Sequence, residues 1–294
     1  VDLEATPDDA YGIVPELKEE GLSHYTVVPM VFSDGSRNSV TLATKSPEGF
    51  SAEHRRLVAE IMPALGAALE IKTQERTLRE VLSTYVGRGP AERIVAGTTH
   101  RGEITRLRAA ILVADLRGFT WLSTQMPPES TADLLNRYYD VVVPPIREAG
   151  GEVLKFIGDA VLAIFPEDET GDRTCCIRAL KAAEGALADG EPTLPVAGVS
   201  HEIRFGIALH VGEVVYGNVG SGDRLDFTVV GRDVNVAARI SSLCSTLGRP
   251  LLVSRDFSEA LGADVRRFLS LGAHPVRGLS EKLEVLKPCP GEPG

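Results

Sequence analysis

Two aspartates lie in turn-forming sequence, Ala114-Asp115-Leu116-Arg117-Gly118-Phe119-Thr120 and Lys155-Phe156-Ile157-Gly158-Asp159, and a third segment, Asp233-Val234-Asn235-Val236-Ala237-Ala238-Arg239, has helical character. Two carboxylates brought together repel unless they are protonated or bridged by cations. A pair of Mg²⁺ ions on substrate phosphates would relieve that repulsion. A strand-to-helix turn containing Gly exposes successive backbone N–H groups that suit phosphate oxygens, which makes Phe119 and Thr120 candidate substrate contacts. Asn235 and Arg239, spaced i and i+4, share one helix face. A mid-helix Asn carries a propensity cost, and Arg offers several fixed donors to a phosphoryl oxygen. Taken singly, each feature has an ordinary explanation: Gly-Asp is a common hairpin turn, Asp after a strand caps helices, and a polar pair can be a solvated face. Their combination in one topology tips the balance.

The elements that must position these residues follow from periodicity. From about residue 107 the order is strand–helix–strand–strand–helix–strand. Ala109–Ala114 reads as a buried strand, Pro128–Glu148 as a helix perturbed by Pro144-Pro145, Glu152–Ile157 and Ala160–Phe165 as strands joined by Gly158-Asp159, Asp172–Ala188 as a helix and Ile203–Val211 as a strand. The expected fold is α+β, with a ferredoxin-like βαββαβ core, an antiparallel sheet and a Gly-rich hairpin over 213–231. In such a unit the third strand lies between the first two and runs opposite to both. Asp115 and Asp159 are then expected at the same sheet edge.

Upstream, Tyr25–Val31 and Ser39–Ala43 flank the hairpin-like Ser33-Asp34-Gly35-Ser36, and Ser51 is a plausible cap for a helical stretch from about Ala52 to Tyr85. In it Leu57, Ile61, Ala64, Ala68, Ile71, Glu75, Leu78, Leu82 and Tyr85 alternate in steps of three and four, a heptad seam interrupted by Glu75. That seam fits either an amphipathic helix lying on its own domain or a parallel coiled coil between two copies. Pro63 is expected to kink or divide it.

Composition bounds the function. The 294 residues are 43% apolar and 24% charged, with a net charge of −10 and no Lys/Arg-rich run, which argues against nucleic acid as partner. Cys175, Cys176, Cys244 and Cys289 fit no zinc or C-x-x-C spacing and read as reduced thiols in a cytoplasmic protein. No apolar stretch reaches the roughly 18–20 residues of a membrane helix, so no membrane insertion is expected. The start, Val1-Asp2-Leu3-Glu4, has no signal-peptide core and lacks Met, which points to a fragment or an alternative start.

Residues 107–287 resemble a class III nucleotidyl cyclase catalytic domain. The resemblance rests on the three motifs in order, on His210-Val211-Gly212-Glu213 through Asn218-Val219-Gly220, and on Val276-Arg277-Gly278. Tyr85–Arg101 is similar to the short transducing segment that precedes such domains. Residues 1–70 resemble, at pattern level, the C-terminal half of a GAF sensor domain, through Val27-Val28-Pro29-Met30, the following hairpin and Gly49-Phe50-Ser51-Ala52-Glu53. The resemblance implies a partial GAF-like segment over 1–63, a signalling helix and linker over 64–106, and a catalytic domain over 107–290.

It also implies roles. Asp115 and Asp159 match the metal-binding aspartates, with two Mg²⁺ or Mn²⁺ per active site. Lys155 matches the adenine-contacting Lys, Thr228 the second base-reading position, Asn235 the ribose-orienting Asn, and Arg239 the Arg on the reacting phosphate. Arg277 stands where the family often places a basic residue near the terminal phosphates. Many adenylyl cyclases carry Asp where this chain has Thr228, and Thr resembles the soluble adenylyl cyclase-like subclass, several of whose members respond to bicarbonate. A Lys is donor-only and suits the adenine N1 acceptor, whereas a Thr hydroxyl can donate or accept. The activity implied is an adenylate cyclase making 3′,5′-cyclic AMP and pyrophosphate from ATP in a homodimer with shared sites, under an upstream sensor or bicarbonate. A guanylate cyclase and an inactive nucleotide-binding or dimerisation module are the alternatives.

Overall fold

A computed structural model describes residues 1–169, 171–188, 193–196, 199–202, 204–262, 268–276, 278 and 282–289. The chain forms two compact units, Val1–Glu80 and Val81–Gly294.

In the first unit, α1 (Val14–Glu19) precedes the antiparallel pair β1 (His24–Val31) and β2 (Arg37–Thr44), followed by α2 (Ala52–Val86). The expected hairpin forms because the Asp34 carboxylate accepts the Ser36 N–H at 2.8 Å, an Asx turn. Ser51 caps α2 by accepting the His54 N–H at 3.1 Å. Pro63 does not divide the helix as expected. It removes one N–H from the ladder, and the turns on either side carry the helix through. The half-buried face of α2 is Val58, Met62, Gly66 and Glu70, and Glu70 accepts the Ser33 N–H at 2.9 Å. Leu57, Ile61, Ile71 and Leu78, from the predicted seam, lie instead among the exposed residues.

The second unit runs α3 (Arg88–Val95), β3 (Ile104–Leu116), α4 (Phe119–Gln125), α5 (Pro128–Glu148), β4 (Glu152–Ile157), β5 (Ala160–Pro166), α6 (Asp172–Ala188), β6 (Thr193–Val196), β7 (Val199–Glu202), β8 (Phe205–Gly220), β9 (Leu225–Val230), α7 (Arg232–Leu247), β10 (Leu251–Ser254), α8 (Arg255–Ala260), β11 (Phe268–His274) and β12 (Leu283–Pro288). The main sheet has the order β11-β12-β10-β8-β3-β5-β4, with β9 on β8 and a single parallel pair, β10 with β8, among the described strands. Within it β8-β3-β5-β4 is the ferredoxin-like arrangement, and β5 lies between β3 and β4, antiparallel to both.

β3 is buried on both faces, which is why its sequence is a continuous apolar run. Ala110, Leu112 and Ala114 pack with Leu134, Tyr138, Val142 and Ile146 of α5 and with Cys176 and Ala179 of α6. Ala109, Ile111 and Val113 join Val236, Ala237, Ile240 and Cys244 of α7 and Phe227 and Val229 of β9. One span differs from the sequence reading. The strand expected to end at Val211 continues to Gly220 and forms the expected hairpin with β9, because glycines interrupt the period-2 signal without breaking the ladder. The helix over Pro128–Glu148 has the limits read from sequence, with Pro144 and Pro145 inside it.

Candidate active site

Asp115 ends the apolar stretch of β3, and its backbone pairs with Ala160, the first residue of β5. Asp159 immediately precedes Ala160 in the β4–β5 turn, so antiparallel pairing alone brings the two carboxylates together. Gly158, at φ +62°, permits that turn, and its carbonyl accepts the Tyr139 hydroxyl of α5 at 2.8 Å. The Tyr139 ring also stacks on Phe156, centroids 4.1 Å apart. The helix thus holds the turn that carries Asp159.

Burial raises the Asp115 carboxyl to about 7, helped by a hydrogen bond to Asp159 and that group's charge and opposed by the Arg117 guanidinium. Without a bound cation, the folded protein keeps this proton up to about pH 7 while an unfolded Asp loses it near 3.8, so the site lowers stability as pH rises through that window. In EDTA, Asp115→Asn is therefore expected to gain Tm over wild type as pH rises from about 4 to about 7. A Tm difference independent of pH would count against the shared proton.

Asp115, Asp159, Arg117, Gly118, Phe119, Thr120, Ser241, Cys244 and Ser245 line a cavity of about 270 Å³. Gly118, at φ +70°, turns the chain from β3 into α4. The expected amide nest is smaller than the sequence suggests, because the Arg117 N–H donates to the Arg204 carbonyl at 2.8 Å. The Arg117 side chain instead ties this loop to the end of α7, donating to the Cys244 carbonyl at 2.8 Å and to the Arg249 carbonyl.

A second group forms around Lys155. Its Nζ lies 3.2 Å from Asp226 Oδ2. Thr228, two residues along β9 from Asp226, is buried, and among the described residues its hydroxyl has no hydrogen-bond partner. A buried hydroxyl left without a partner costs about 1–3 kcal/mol. Thr228 pairs with Gly217, which also faces Ile104 at the far end of β3 from Asp115.

The third group is the outer face of α7. Val236, Ala237, Ile240 and Cys244 are buried against the sheet, which leaves Asn235 and Arg239 on the exposed face, as the i, i+4 spacing predicts. Among the described residues neither side chain has a hydrogen-bond or ion-pair partner, and neither lines the Asp115–Asp159 cavity. The start of α7 is fixed by the His210–Glu213 segment. Asp233 accepts the Glu213 N–H at 2.8 Å and lies 3.6 Å from His210 Nε2, while His210 Nδ1 is 2.7 Å from Ser254 Oγ. The adjacent His210 imidazole holds the Asp233 carboxyl below the usual range. Gly212 leaves room for that carboxylate, since a Cβ there would stand 2.1 Å from Asp233 Oδ2 and 2.6 Å from its Cβ. Gly212→Ala is expected to cost about 1–3 kcal/mol by overpacking. A melting curve that superimposes on wild type would refute this contact.

Of the residues singled out by sequence, the structure brings together Asp115, Asp159, Phe119 and Thr120, and places Lys155, Thr228, Asn235 and Arg239 elsewhere in the unit. Arg277 lies outside the described residues. Sequence reasoning missed Asp226, although its i, i+2 relation to Thr228 puts both on one strand face. It also missed Arg117, whose partners are 127 and 132 residues away in sequence.

The unit is thus a mostly antiparallel sheet with helices on both faces, carrying an aspartate pair at one edge. Residues 105–286 match the adenylate and guanylate cyclase catalytic domain, and the chain belongs to that family. An uncharacterized protein of Mycobacterium tuberculosis is 32% identical over 240 residues, covering 81% of this chain and 41% of that protein. An adenylate cyclase of Anabaena cylindrica is 36% identical over 162 residues, 52% of this chain and 30% of that protein. The chain thus spans less than half the length of these relatives. Among solved structures, a bacterial light-regulated adenylyl cyclase aligns with a TM-score of 0.62 at 28% identity, over 78% of this chain and 65% of that one. A guanylyl cyclase aligns at 0.51 and 30% identity, over 62% and 91%. No described helix is long and apolar enough to cross a membrane.

Proposed function

We propose that this chain is an adenylate cyclase that converts ATP to 3′,5′-cyclic AMP and pyrophosphate by in-line attack of the 3′-oxygen on the α-phosphate. The observation that carries the proposal is the Asp115–Asp159 pair, two half-buried carboxylates brought together by strand pairing beside the Gly118 turn. Hard oxygen donors of this kind fit Mg²⁺ or Mn²⁺. Bound there, a cation pair would supply activation of the 3′-oxygen and a hold on the triphosphate.

The chain's own residues supply the rest. Lys155 donates to adenine N1, and the unpaired Thr228 hydroxyl takes the neighbouring position on the base edge. Asn235 orients the ribose. Arg239 donates to the reacting phosphate, a contribution of about 3–4 kcal/mol by analogy with a lost oxyanion donor. Because the carboxylate pair and the Asn235/Arg239 face do not share a cavity within one chain, two copies complete each site, and the protein works as a homodimer. The exposed Leu57–Leu78 seam of α2 supports a parallel coiled coil between the copies, and residues 1–63 and 64–106 serve as a GAF-like input segment and a signalling linker. Thr228 supports membership of the soluble adenylyl cyclase-like subclass, and with it bicarbonate as an input. Activity that stays flat on added bicarbonate at fixed pH rejects that input.

The direct test is purified protein with Mg²⁺ or Mn²⁺, given ATP and GTP separately, with cyclic product measured. Cyclic AMP as the main product is expected. A guanylate cyclase is the second reading, favoured by the ability of the Thr228 hydroxyl to donate as well as accept, and cyclic GMP as the main product would establish it. No product from either nucleotide would support an inactive binding module.

A further inference from the structure

We infer that Asp226 positions the Lys155 ammonium and so helps set the preference for adenine over guanine, an inference that rests on the proposed base-reading role of Lys155. Three observations converge on it. The first is geometric: Asp226 Oδ2 lies 3.2 Å from Lys155 Nζ, and among the described residues it is the only ion-pair partner of that ammonium. The second is topological. β4 and β9 are not hydrogen-bonded neighbours in the sheet, so the pair is a side-chain bridge between two strands that reach one another across the fold. The third is chemical. Thr228, on the same strand face, has a buried hydroxyl with no hydrogen-bond partner among the described residues, and it can donate or accept. A hydroxyl of that kind does not by itself tell the adenine edge, with an acceptor at N1 and a donor at N6, from the guanine edge, with a donor at N1 and an acceptor at O6. Discrimination therefore depends on where the donor-only Lys155 stands.

A lysine is a point charge on a four-carbon stem and does not fix its own direction. Lys155 is 32% exposed, so without a tether its ammonium samples solvent and can reach either position of a base edge. The Asp226 carboxylate uses one of the three N–H donors and leaves two for the base. Asp226 itself is 63% exposed, and exposed pairs of this sort contribute little to folding, so its replacement is expected to leave the fold intact. Its effect falls on where the ammonium points.

The test compares wild type, Asp226→Asn, Asp226→Ala, Asp226→Glu and Lys155→Ala as full-length homodimers. KM and kcat are measured for ATP and GTP, alongside equilibrium binding of fluorescent ATP and GTP analogues, so that a protein with no turnover still reports its preference. Asp226→Asn and Asp226→Ala are expected to raise KM for ATP about 3–5-fold, the range an exposed ion pair can supply, with kcat within about twofold. The ATP-to-GTP ratio of kcat/KM is expected to fall by a similar factor, and Asp226→Glu to keep most of it. Melting temperatures are expected to match wild type. An unchanged ratio in both Asp226→Asn and Asp226→Ala, while Lys155→Ala collapses it, would overturn the positioning role and leave base reading by Lys155 standing. A ratio unchanged in Lys155→Ala as well would overturn the base-reading assignment itself, and this inference with it. A loss confined to kcat would also reject it, since positioning at the base edge acts through substrate binding and selectivity.

Discussion

Asp159→Ala and Asp115→Ala are expected to lose at least about 10³-fold in cyclic nucleotide synthesis, the equivalent of about 4 kcal/mol of transition-state stabilisation. The two positions are equivalent because neither carboxylate is placed by its own local sequence. Asp115 is held by its ladder pairing with Ala160, and Asp159 by the Gly158 turn that Tyr139 fastens to α5. Either substitution leaves one carboxylate where a doubly charged site is needed to gather cations and the triphosphate. The loss is not expected to reflect unfolding. Burial, helped by Asp159, lifts Asp115 to about 7; Asp115→Ala removes the buried carboxyl and Asp159→Ala the charge beside it, so each variant is expected to melt no lower than wild type in EDTA. Initial rates over a range of Mn²⁺ and ATP concentrations check this. A variant within tenfold of wild type at saturating metal would remove the pair from the chemistry, and a variant that melts well below wild type would show that the pair is structural.

The chemistry of this site was more legible in sequence than its surroundings, for a physical reason. The core strands and helices announce themselves by period: Pro128–Glu148, Glu152–Ile157 and Asp172–Ala188 have the same limits in sequence and structure. Once that order is read as a βαββ unit, the meeting of Asp115 and Asp159 follows from strand pairing without any side-chain information. The Asn235/Arg239 face was likewise legible, since helical spacing alone puts two residues on one side. What the sequence hid were long-range contacts between residues of unremarkable local pattern. Arg117 reads as part of a phosphate loop, yet its guanidinium ends on carbonyls at the end of α7. Asp226 was not singled out, and only the approach of β4 to β9 reveals its partner. The Gly-rich hairpin over 213–231 forms as read, with β8 and β9 paired from Val215–Val230 to Gly220–Leu225, but the strand that leads into it runs unbroken through Gly212 and Gly217. The close approach of Asp233 to Gly212 requires the bare backbone. Pro63 misled because a single proline costs a helix one hydrogen bond and α2, at 35 residues, has enough others to continue.

Mixing two inactive proteins is expected to restore activity. In one chain, Asp115 and Asp159 line a cavity closed by Ser241, Cys244 and Ser245, while Asn235 and Arg239 project from the outer side of the same helix, without partners among the described residues. A helix cannot turn two opposed faces to one substrate, so in the proposed homodimer Arg239 of one copy serves the carboxylate pair of another. A two-fold axis would make that exchange mutual and give two sites per dimer. On that reading Asp159→Ala removes the metal half of the site that its own chain anchors, and Asn235→Ala the ribose half of the site on its partner. A mixed dimer therefore carries both lesions in one site and none in the other. Random exchange puts about half of the molecules in the mixed form with one intact site of two, so about a quarter of wild-type specific activity is expected after mixing at equal concentration. Each variant alone is expected to stay at background. Asp159→Ala mixed with Asp115→Ala is the control: both lesions fall in the same half, every site remains damaged, and no recovery is expected. Recovery in that control would point to contamination or to subunits repairing one another by another route. Absence of recovery in the first mixture, with exchange confirmed by co-purification of differently tagged chains, would mean that each chain completes its own site.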